Sequence, residues 1–474
     1  MRNLLSLSLA IIGLLAPSTM ASPVSSTSSA VPTASGTSNG KLVFCHFMMG
    51  IVSNRKSADD YDDDMKRAKD LGIDAFALNV GNDDYAGQQL GYAYESAAKI
   101  GMKVFISFDF NWWGAKQSSA VGSMVKVHAN SPAQLKVDSK VFVSTFAGDG
   151  VDVDAIKSAA GQEIYFAPNL QPGQGDFKAI DAALNWMAWP NNGANKAPTA
   201  SQNITVSDGD ETYVKELGGK DYIAPVSPWF FTHFGGEVSY SKNWVFPSDL
   251  LWYNRWRQIL ALKPRFVEII TWNDYGESHY IGPLSSPHTD DGASKPHTGW
   301  LEMSKPFIAA YKAGASDPKP YITTEKLVYW YRPTPRDVKC DATDTTMGRP
   351  NGWETMEDQV FVVALLKSPA KVVVQSGSES PKTFQAPAGV SAWSAPMGVG
   401  KQSFKVTRGE STVLSGTSAK EIEDTCVRGI YNFNAYVGTL PAPTTVDRLQ
   451  PDGYALMSQG LTTSSPTQAS STSS

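Results

Sequence analysis

The sequence contains little cysteine, little histidine and almost no excess of one charge. Its 474 residues include 3 cysteines and 6 histidines, and the formal net charge is only −5. A charge this small provides no basic field that would attract a polyphosphate, and no Gly-rich phosphate loop is present, so we expect no nucleic-acid partner. Aromatic residues, in contrast, make up 11% of the chain and include 13 tryptophans. Because indole rings stack on sugar rings, tryptophans near acids favour a carbohydrate ligand, although most tryptophans simply belong to protein cores.

Only one hydrophobic run of notable length is present, and it lies at the amino terminus. Residues 4–15 are apolar, follow Arg2 and precede small residues, a pattern that is typical of a secretory signal peptide over residues 1–21. No segment approaches the roughly 20 apolar residues of a membrane helix. We therefore expect a secreted protein, extracellular or associated with a cell wall, that has no membrane partner. Residues 22–40 and 462–474 are rich in Ser and Thr and are predicted to be a disordered linker and tail.

The cysteines and one sequon agree with an exported chain. An odd number of cysteines in an oxidising compartment suggests one pair and one buried thiol. Cys45 lies inside an apolar stretch, so we expect a disulfide between Cys340 and Cys426. Asn203 begins the triplet Asn-Ile-Thr and is a predicted glycosylation site in a surface loop.

Strand-like and helix-like segments alternate in the first two thirds of the chain. Apolar runs are followed by amphipathic segments that begin with acidic residues or end at glycine, and eight such units can be followed. In the least regular part, the fifth helix is predicted at residues 177–184 and the sixth strand at residues 186–189. Eight units predict a (β/α)8 barrel, an α/β catalytic domain over residues 41–315. Short strand-like runs between Gly, Pro and Ser then predict a β-sandwich as accessory domain over residues 316–461.

The segment from Thr271 to Tyr280 carries the strongest chemical signal. Two carboxylates, three aromatic side chains, a histidine and an amide directly follow the apolar run 266–270. The carboxyl ends of barrel strands are where such folds place catalytic residues, so Asp274 and Glu277 are predicted to be a catalytic pair. Acidic residues behind a strand can instead cap the next helix, but capping does not call for the neighbouring aromatic residues.

Polar and aromatic residues also end other predicted strands and should converge on the same mouth. Asp109 is a further predicted catalytic residue, because an acid flanked by Phe, Trp and Asn is typical of a sugar subsite. The alternative is a loop carboxylate that accepts a hydrogen bond from a nearby backbone amide. The predicted substrate-binding residues are His46, Asn79, Trp112, Asn169, Trp229, His233, Trp272, Asn273, Tyr275, His279 and Tyr280.

Two carboxyl groups at one mouth suit cleavage of a glycosidic bond. That reaction needs one protonated carboxyl to assist the leaving oxygen and one carboxylate that activates water or attacks the sugar carbon. The spacing of Asp274 and Glu277 permits either an inverting or a retaining geometry. The aromatic neighbours of Glu277 should disfavour its charged form, so we expect Glu277 to be the acid and Asp274 the base, and the reverse stays open.

A metal site was considered for the loop that follows. Residues 279–297 contain three histidines and two aspartates, but their spacing matches no compact zinc pattern. We therefore expect neither a metal nor another cofactor.

Four segments carry a family resemblance: residues 43–50, 72–81, 242–249 and, most specifically, the run from Trp272 to Pro283. They resemble fungal glycoside hydrolase family 71, the α-1,3-glucanases that are also called mutanases. The resemblance covers residues 41–315 and extends to the β-rich remainder. It implies endo-hydrolysis of α-1,3-glucan, the polysaccharide partner, with inversion at the anomeric carbon and no cofactor. It also implies that Asp274 and Glu277 are the catalysts and Asp109 an essential helper, in an enzyme that we expect to be monomeric.

Two other classes of protein are the alternatives to a hydrolase. A non-catalytic carbohydrate-binding wall protein would keep its tryptophans but lose an acid, whereas Asp274 and Glu277 are both present. A metal-dependent polysaccharide deacetylase would need a compact set of histidine and aspartate ligands, which the spacing does not provide.

Overall fold

The computed structural model describes residues 40–236, 238–284 and 295–443. The predicted signal peptide, the predicted tail and all but the last residue of the predicted linker lie outside these ranges. The strands of the first part of the chain are β1 (Leu42–Met48), β2 (Ala75–Val80), β3 (Lys103–Asp109), β4 (Lys136–Val137), β5 (Lys140–Phe146), β6 (Ile164–Pro168), β7 (Ala182–Leu184), β8 (Asp221–Val226), β9 (Phe231–Phe234), β10 (Lys242–Val245) and β11 (Phe266–Ile269). The helices are α1 (Asp62–Asp70), α2 (Ala86–Ile100), α3 (Ser118–His128), α4 (Val153–Ala160), α5 (Val206–Leu217), α6 (Leu251–Leu262) and α7 (Thr298–Lys312).

These elements give a mixed α/β fold around one curled parallel sheet. The parallel strands pair in the order β6, β5, β3, β2, β1, β11, β8 and β7, and the short strand β4 pairs antiparallel with β5. Within the described residues no ladder joins β6 to β7, so the observed pairing is that of a half-barrel rather than a closed barrel. Strand β2 is buried at every position, as expected for a parallel strand that helices cover.

The prediction for residues 177–189 was wrong. Residues 182–184, predicted to end a helix, form β7, and the predicted strand at 186–189 is irregular chain. Alanine favours helices, which explains the error. Pairing of Ala182 with Asp221 of β8 overrides that preference, because the buried backbone gains partners in the sheet.

Aromatic side chains fill the inside of the curl. Phe44, Phe105, Phe142 and Phe266 come from four different strands, and the centroids of their rings lie 4.6–5.7 Å apart where they meet. Strands β1 and β5 are not neighbours in the sheet, so contact between Phe44 and Phe142 requires that both rings point to the concave side. This packed layer supports the residues at the carboxyl ends of the strands.

The described residues after α7 are built mainly from strands. These are β12 (Lys326–Tyr331), β13 (Gln359–Leu366), β14 (Ala370–Ser376), β15 (Lys382–Ala386), β16 (Gly389–Pro396), β17 (Gln402–Arg408), β18 (Ser411–Thr417) and β19 (Tyr436–Leu440). They form two antiparallel sheets, β16-β13-β12-β19 and β15-β14-β17-β18, whose apolar faces share one core. Tyr329 and Phe404, one from each sheet, stack at 4.0 Å between ring centroids.

Several hydrogen bonds join this β-rich part to the α/β part. The indole of Trp229 donates to Phe433 O at 2.9 Å, and that of Trp330 donates to Asp249 O at 2.8 Å. The division into two domains near residue 315 stays a prediction. The predicted disulfide is confirmed, since Cys340 is bonded to Cys426, and Cys45 is a buried free thiol. No described helix has the length and apolar character needed to cross a membrane.

Candidate active site

The segment behind β11 folds back on itself and holds its acids at the carboxyl end of the sheet. Thr271 N–H donates to His279 O at 3.1 Å, and Ile281 N–H donates to Thr271 O at 3.0 Å. Asn273 ties this loop to β1, because its side-chain amide accepts from Met48 N–H at 2.8 Å and donates to Met48 O at 3.1 Å. The loop is therefore fixed at both ends, with a single helical turn between them.

Asp274 and Glu277 lie on that turn. Asp274 Oδ1 accepts from Glu277 N–H at 3.3 Å, so the capping role considered for Asp274 is present. Both carboxylates still face solvent, with side-chain exposures of 20% for Asp274 and 13% for Glu277. One donor atom from each of Asp274, Glu277 and His279 lies within 4.8 Å of the others. The structure therefore brings the predicted catalytic pair together beside a buried imidazole.

His279 connects the two acids. Its Nε2 lies 2.8 Å from Glu277 Oε2 and 3.9 Å from Asp274 Oδ2, and its Nδ1 lies 3.1 Å from Thr271 Oγ1. Burial lowers the pKa of His279 to about 4, more than the charge of Asp274 raises it. The ring is therefore neutral near pH 7, so one nitrogen donates a hydrogen bond and the other accepts one.

Lys242 also belongs to this site, and this role was not predicted from the sequence. It begins β10, and its Nζ contacts Glu277 Oε1. Burial lowers the pKa of Lys242, and the negative charges of Asp274 and Asp109 act in the opposite direction. The ammonium group thus faces three carboxylates. The only indication of this role in the sequence was that Lys242 begins the segment 242–249, one of the four segments that carry the family resemblance.

Asp109 ends β3 and belongs to the same cluster of charges. It is 7% exposed and accepts from Asn111 N–H at 2.9 Å, which is the loop bond proposed as an alternative. Burial raises the pKa of Asp109, while the neighbouring charges of His46 and Lys242 lower it. Asp109 can therefore accept this hydrogen bond from the backbone and still belong to the site.

A second buried acid, Glu268, was missed because it lies inside the apolar run of β11. Its Oε1 is 2.7 Å from His46 Nδ1, and both side chains are fully buried. His46 Nε2 and Glu268 Oε2 have no hydrogen-bond partner in the part of the chain that the structure describes. The carboxylate fixes the orientation of the imidazole, whose edge contacts Trp186 with 4.8 Å between ring centroids.

Several predicted substrate-binding residues are buried, and their polar groups already have partners. Trp272 Nε1 donates to Asp64, Tyr275 OH to Pro283 O and Tyr280 OH to Lys295 O, at 2.6–2.8 Å. Trp229 contacts the β-rich part, as described above. Asn169 donates to Leu184 O at 3.0 Å, and His233 lies between Asn243 and Asp344. These residues and Asn273 are therefore placed to support the site rather than to contact a ligand.

Trp112 lies just after β3, and Asn79 is the penultimate residue of β2. Trp112 follows Asp109 by three positions and is 53% exposed, the largest exposure of any described tryptophan. Asn79 is adjacent to Met48 in the pairing of β1 with β2 and is 4% exposed. Residues 285–294, which include two of the acids and one histidine considered for a metal site, lie outside the described residues.

The cluster of Asp274, Glu277 and His279 has the donor types and spacing to hold a divalent cation. The ammonium group of Lys242 already contacts one of those carboxylates. A second positive charge at that place would be repelled, so the residues fit a metal poorly. The absence of a cofactor stays a prediction.

Comparison with known proteins identifies the family of the chain. The sequence model of glycosyl hydrolase family 71 matches residues 39–450. A mutanase of Penicillium rubens is 45% identical over 415 residues, which cover 85% of this chain and 90% of the relative. A glucan endo-1,3-alpha-glucosidase of Schizosaccharomyces pombe is 39% identical over 433 residues, covering 85% and 96% of the two chains. An ascus wall endo-1,3-alpha-glucanase of the same organism is 28% identical over 434 residues, covering 83% and 96%. The resemblance predicted from the sequence is thus confirmed, and the chain belongs to glycosyl hydrolase family 71.

Proposed function

We propose that this protein cleaves internal α-1,3-glucosidic bonds of cell-wall α-glucan by acid–base catalysis. The observation that carries the proposal is the pair Asp274 and Glu277 at the carboxyl end of a parallel sheet, where Asp274 accepts a hydrogen bond from Glu277 N–H and Glu277 contacts His279. Family membership and the names of the relatives support the reaction and the substrate. Asp109, buried in the same cluster, would hold sugar hydroxyls or stabilise the oxocarbenium-like transition state.

We assign Glu277 as the acid and Asp274 as the base. Neutral His279 supports this assignment through its two tautomers. When Nδ1 donates to Thr271 Oγ1, Nε2 accepts a hydrogen bond from the carboxyl O–H of a protonated Glu277; when Nε2 carries the proton, it donates a hydrogen bond to the Glu277 carboxylate. The imidazole can therefore partner Glu277 before and after proton transfer. The ammonium of Lys242 would stabilise the carboxylate that forms, which makes release of the proton easier.

The stereochemical outcome that we propose is inversion. Inverting enzymes separate their carboxyl groups by about 6.5–9.5 Å and retaining enzymes by about 5–5.5 Å. One oxygen of Asp274 and one of Glu277 lie within 4.8 Å of each other, which limits the closest approach of the two carboxyl groups but does not fix the distance between their centres. Inversion requires a water molecule between Asp274 and the face of the sugar opposite to the leaving oxygen, and the anomer of the product decides between the mechanisms.

We further propose that the parallel sheet works as a (β/α)8 barrel, followed by a β-sandwich from about residue 316. Closure is supported by two hydrogen bonds across the gap between β6 and β7. Asp181 N–H donates to Phe166 O at 2.9 Å, and Phe166 N–H donates to the Asp181 carboxylate at 3.0 Å. The shared core of the two antiparallel sheets supports the sandwich.

We propose that the protein is secreted, acts at the cell wall as a monomer and carries a glycan on Asn203. Asn203 is exposed and lies two residues before the Thr205 cap of α5. A relative is named for the ascus wall, which supports the location. The signal peptide on which secretion depends lies outside the described residues.

The reaction is tested by incubating the purified full chain with insoluble α-1,3-glucan, β-1,3-glucan and starch in parallel. We expect new reducing ends from the first polymer alone, with soluble oligosaccharides as early products because the attack is internal. Equal release from all three polymers, or none from α-1,3-glucan, would overturn the proposal. Asp274→Asn and Glu277→Gln variants show whether any release depends on the pair.

A further inference from the structure

A large cavity lies beside the catalytic cluster, on the side of β10 and of residues 347–354. Its volume is about 590 Å³, within the range of roughly 300–1,000 Å³ that is usual for ligand pockets. Both parts of the chain line it. The residues that matter for its chemistry are Lys196, Lys242, Trp244, Arg349, Trp353 and Glu354.

Its two walls are held together by backbone contacts. Val245 N–H donates to Asn351 O, and Asn351 N–H donates to Asn243 O, each at 3.0 Å. The side-chain amide of Asn243 also donates to Gly348 O at 3.0 Å. The wall supplied by the β-rich part is therefore fixed against β10, so the cavity has a built shape.

The lining combines aromatic rings with charged side chains. Trp244 and Trp353 are both partly exposed, and the guanidinium of Arg349 lies 4.3 Å from the ring centroid of Trp353. Lys196 and Glu354 are exposed on the rim and offer donors and acceptors. Rings that stack on the C–H face of a sugar and polar groups that bind its hydroxyls are what an oligosaccharide needs.

The cavity is continuous with the site through Lys242. This residue lines the cavity, and its Nζ contacts the Glu277 carboxylate. One end of the cavity is therefore separated from the Glu277 carboxylate by no more than the length of the Lys242 side chain. Trp244 and Trp353 line the same cavity as Lys242.

We propose that this cavity is a subsite that binds α-1,3-glucan sugars next to those at the cleavage point, and that residues 347–354 supply one of its walls. The inference rests on the proposed function. It assigns to the β-rich part a direct role in holding the substrate. It also predicts that long chains bind more tightly than short ones.

The test compares Trp353→Ala with the wild-type full chain on short and long soluble α-1,3-gluco-oligosaccharides. We expect KM for the long substrate to rise roughly fivefold, the loss of one aromatic contact, while KM for the short substrate and both kcat values stay unchanged. Trp353→Tyr should restore most of the affinity. Trp393→Ala is the matched control, because Trp393 stacks on Phe384 and does not line the cavity.

Two further measurements keep the outcomes separable. If Trp353→Ala does not fold, Lys196→Ala and Glu354→Ala replace exposed side chains that line the cavity and should together weaken binding of the long substrate. Binding is then measured by calorimetry in an Asp274→Asn background, where no cleavage intervenes. Wild-type cleavage of α-1,3-glucan with equal affinities in all cavity variants would overturn the subsite alone, whereas absence of wild-type cleavage would overturn the proposed function.

Discussion

Lys242 places its ammonium group against the carboxylate of Glu277, although the two residues belong to different elements of the fold. β10 lies in a two-stranded hairpin with β9 outside the parallel sheet, and Glu277 lies on the turn behind β11. The negative charges of Asp109 and Asp274 also raise the pKa of Lys242. A single cation therefore balances three acids that would otherwise repel one another.

Replacing Lys242 by methionine should lower kcat by about tenfold or more, because the charge that stabilises the Glu277 carboxylate is lost. Lys242 also lowers the pKa of Asp109, so its removal should raise that pKa further and move the acidic limb of the pH–rate profile to higher pH. The measurement is kcat/KM across pH for Lys242→Met, with Lys242→Arg retaining the charge. A surface control, Lys126→Met, should behave as wild type, and an unchanged profile in Lys242→Met would contradict the prediction.

The roles of the two acids can be separated with a substrate whose leaving group needs no proton. Glu277→Ala should lose about 10²- to 10⁴-fold in activity on glucan but retain much of it on an α-glucosyl fluoride. Asp274→Ala should lose activity on both substrates, since the base that activates water is missing. If Asp274→Ala, rather than Glu277→Ala, retained activity on the fluoride, the two roles would have to be exchanged.

His279 should make the folded state sensitive to acid. The pKa of His279 is about 4 in the folded chain, against the usual 6.5 of a histidine in an unfolded chain. The unfolded chain therefore takes up a proton first as pH falls. The corresponding stability is fully present above about pH 6.5 and is lost progressively towards pH 4, by about 3 kcal/mol. Urea unfolding at several pH values should show a smaller pH dependence for His279→Gln than for wild type. Equal dependence in both would refute the assignment.

The sequence predicted which residues meet at the site wherever the strand order alone decides. His46 lies in the second half of β1, Asp109 ends β3, and Asp274 and Glu277 follow β11. Parallel strands bring their carboxyl ends to one edge of the sheet. Lys242 could not be placed, because its position depends on the fold of a hairpin outside the parallel sheet.

Two other kinds of residue escaped prediction for a different reason. Glu268 looks like a misplaced charge in an apolar strand until the pairing of β1 with β11 brings His46 beside it. Trp272 and Tyr280 resemble substrate-binding aromatics in sequence, yet each donates to a buried protein acceptor. The neighbouring residue types cannot distinguish an aromatic side chain at the mouth of the site from one buried behind it, since both have aromatic and polar neighbours in sequence.

Trp112 provides a direct test of that distinction. Because its side chain is 53% exposed, Trp112→Ala should change unfolding free energy by less than about 0.5 kcal/mol while raising KM for glucan. Trp272→Phe, which removes a buried hydrogen bond to Asp64, should instead lower stability by about 1–3 kcal/mol. Thermal melts and kinetics on both variants provide the comparison. A destabilised Trp112→Ala with unchanged KM would remove Trp112 from the substrate-binding residues.

The anomer of the first product tests the proposed mechanism. An inverting enzyme converts an α-linkage directly into a β-configured reducing end, because water attacks from the face opposite to the leaving oxygen. A retaining enzyme would yield the α anomer after a covalent intermediate, and the short distance between the nearest oxygens of Asp274 and Glu277 makes this the relevant competitor. Proton NMR of a soluble α-1,3-gluco-oligosaccharide, recorded in the first minutes before mutarotation, distinguishes the two. We expect the β anomer to appear first; if the α anomer appears first, Asp274 would have to act as a nucleophile rather than as a base.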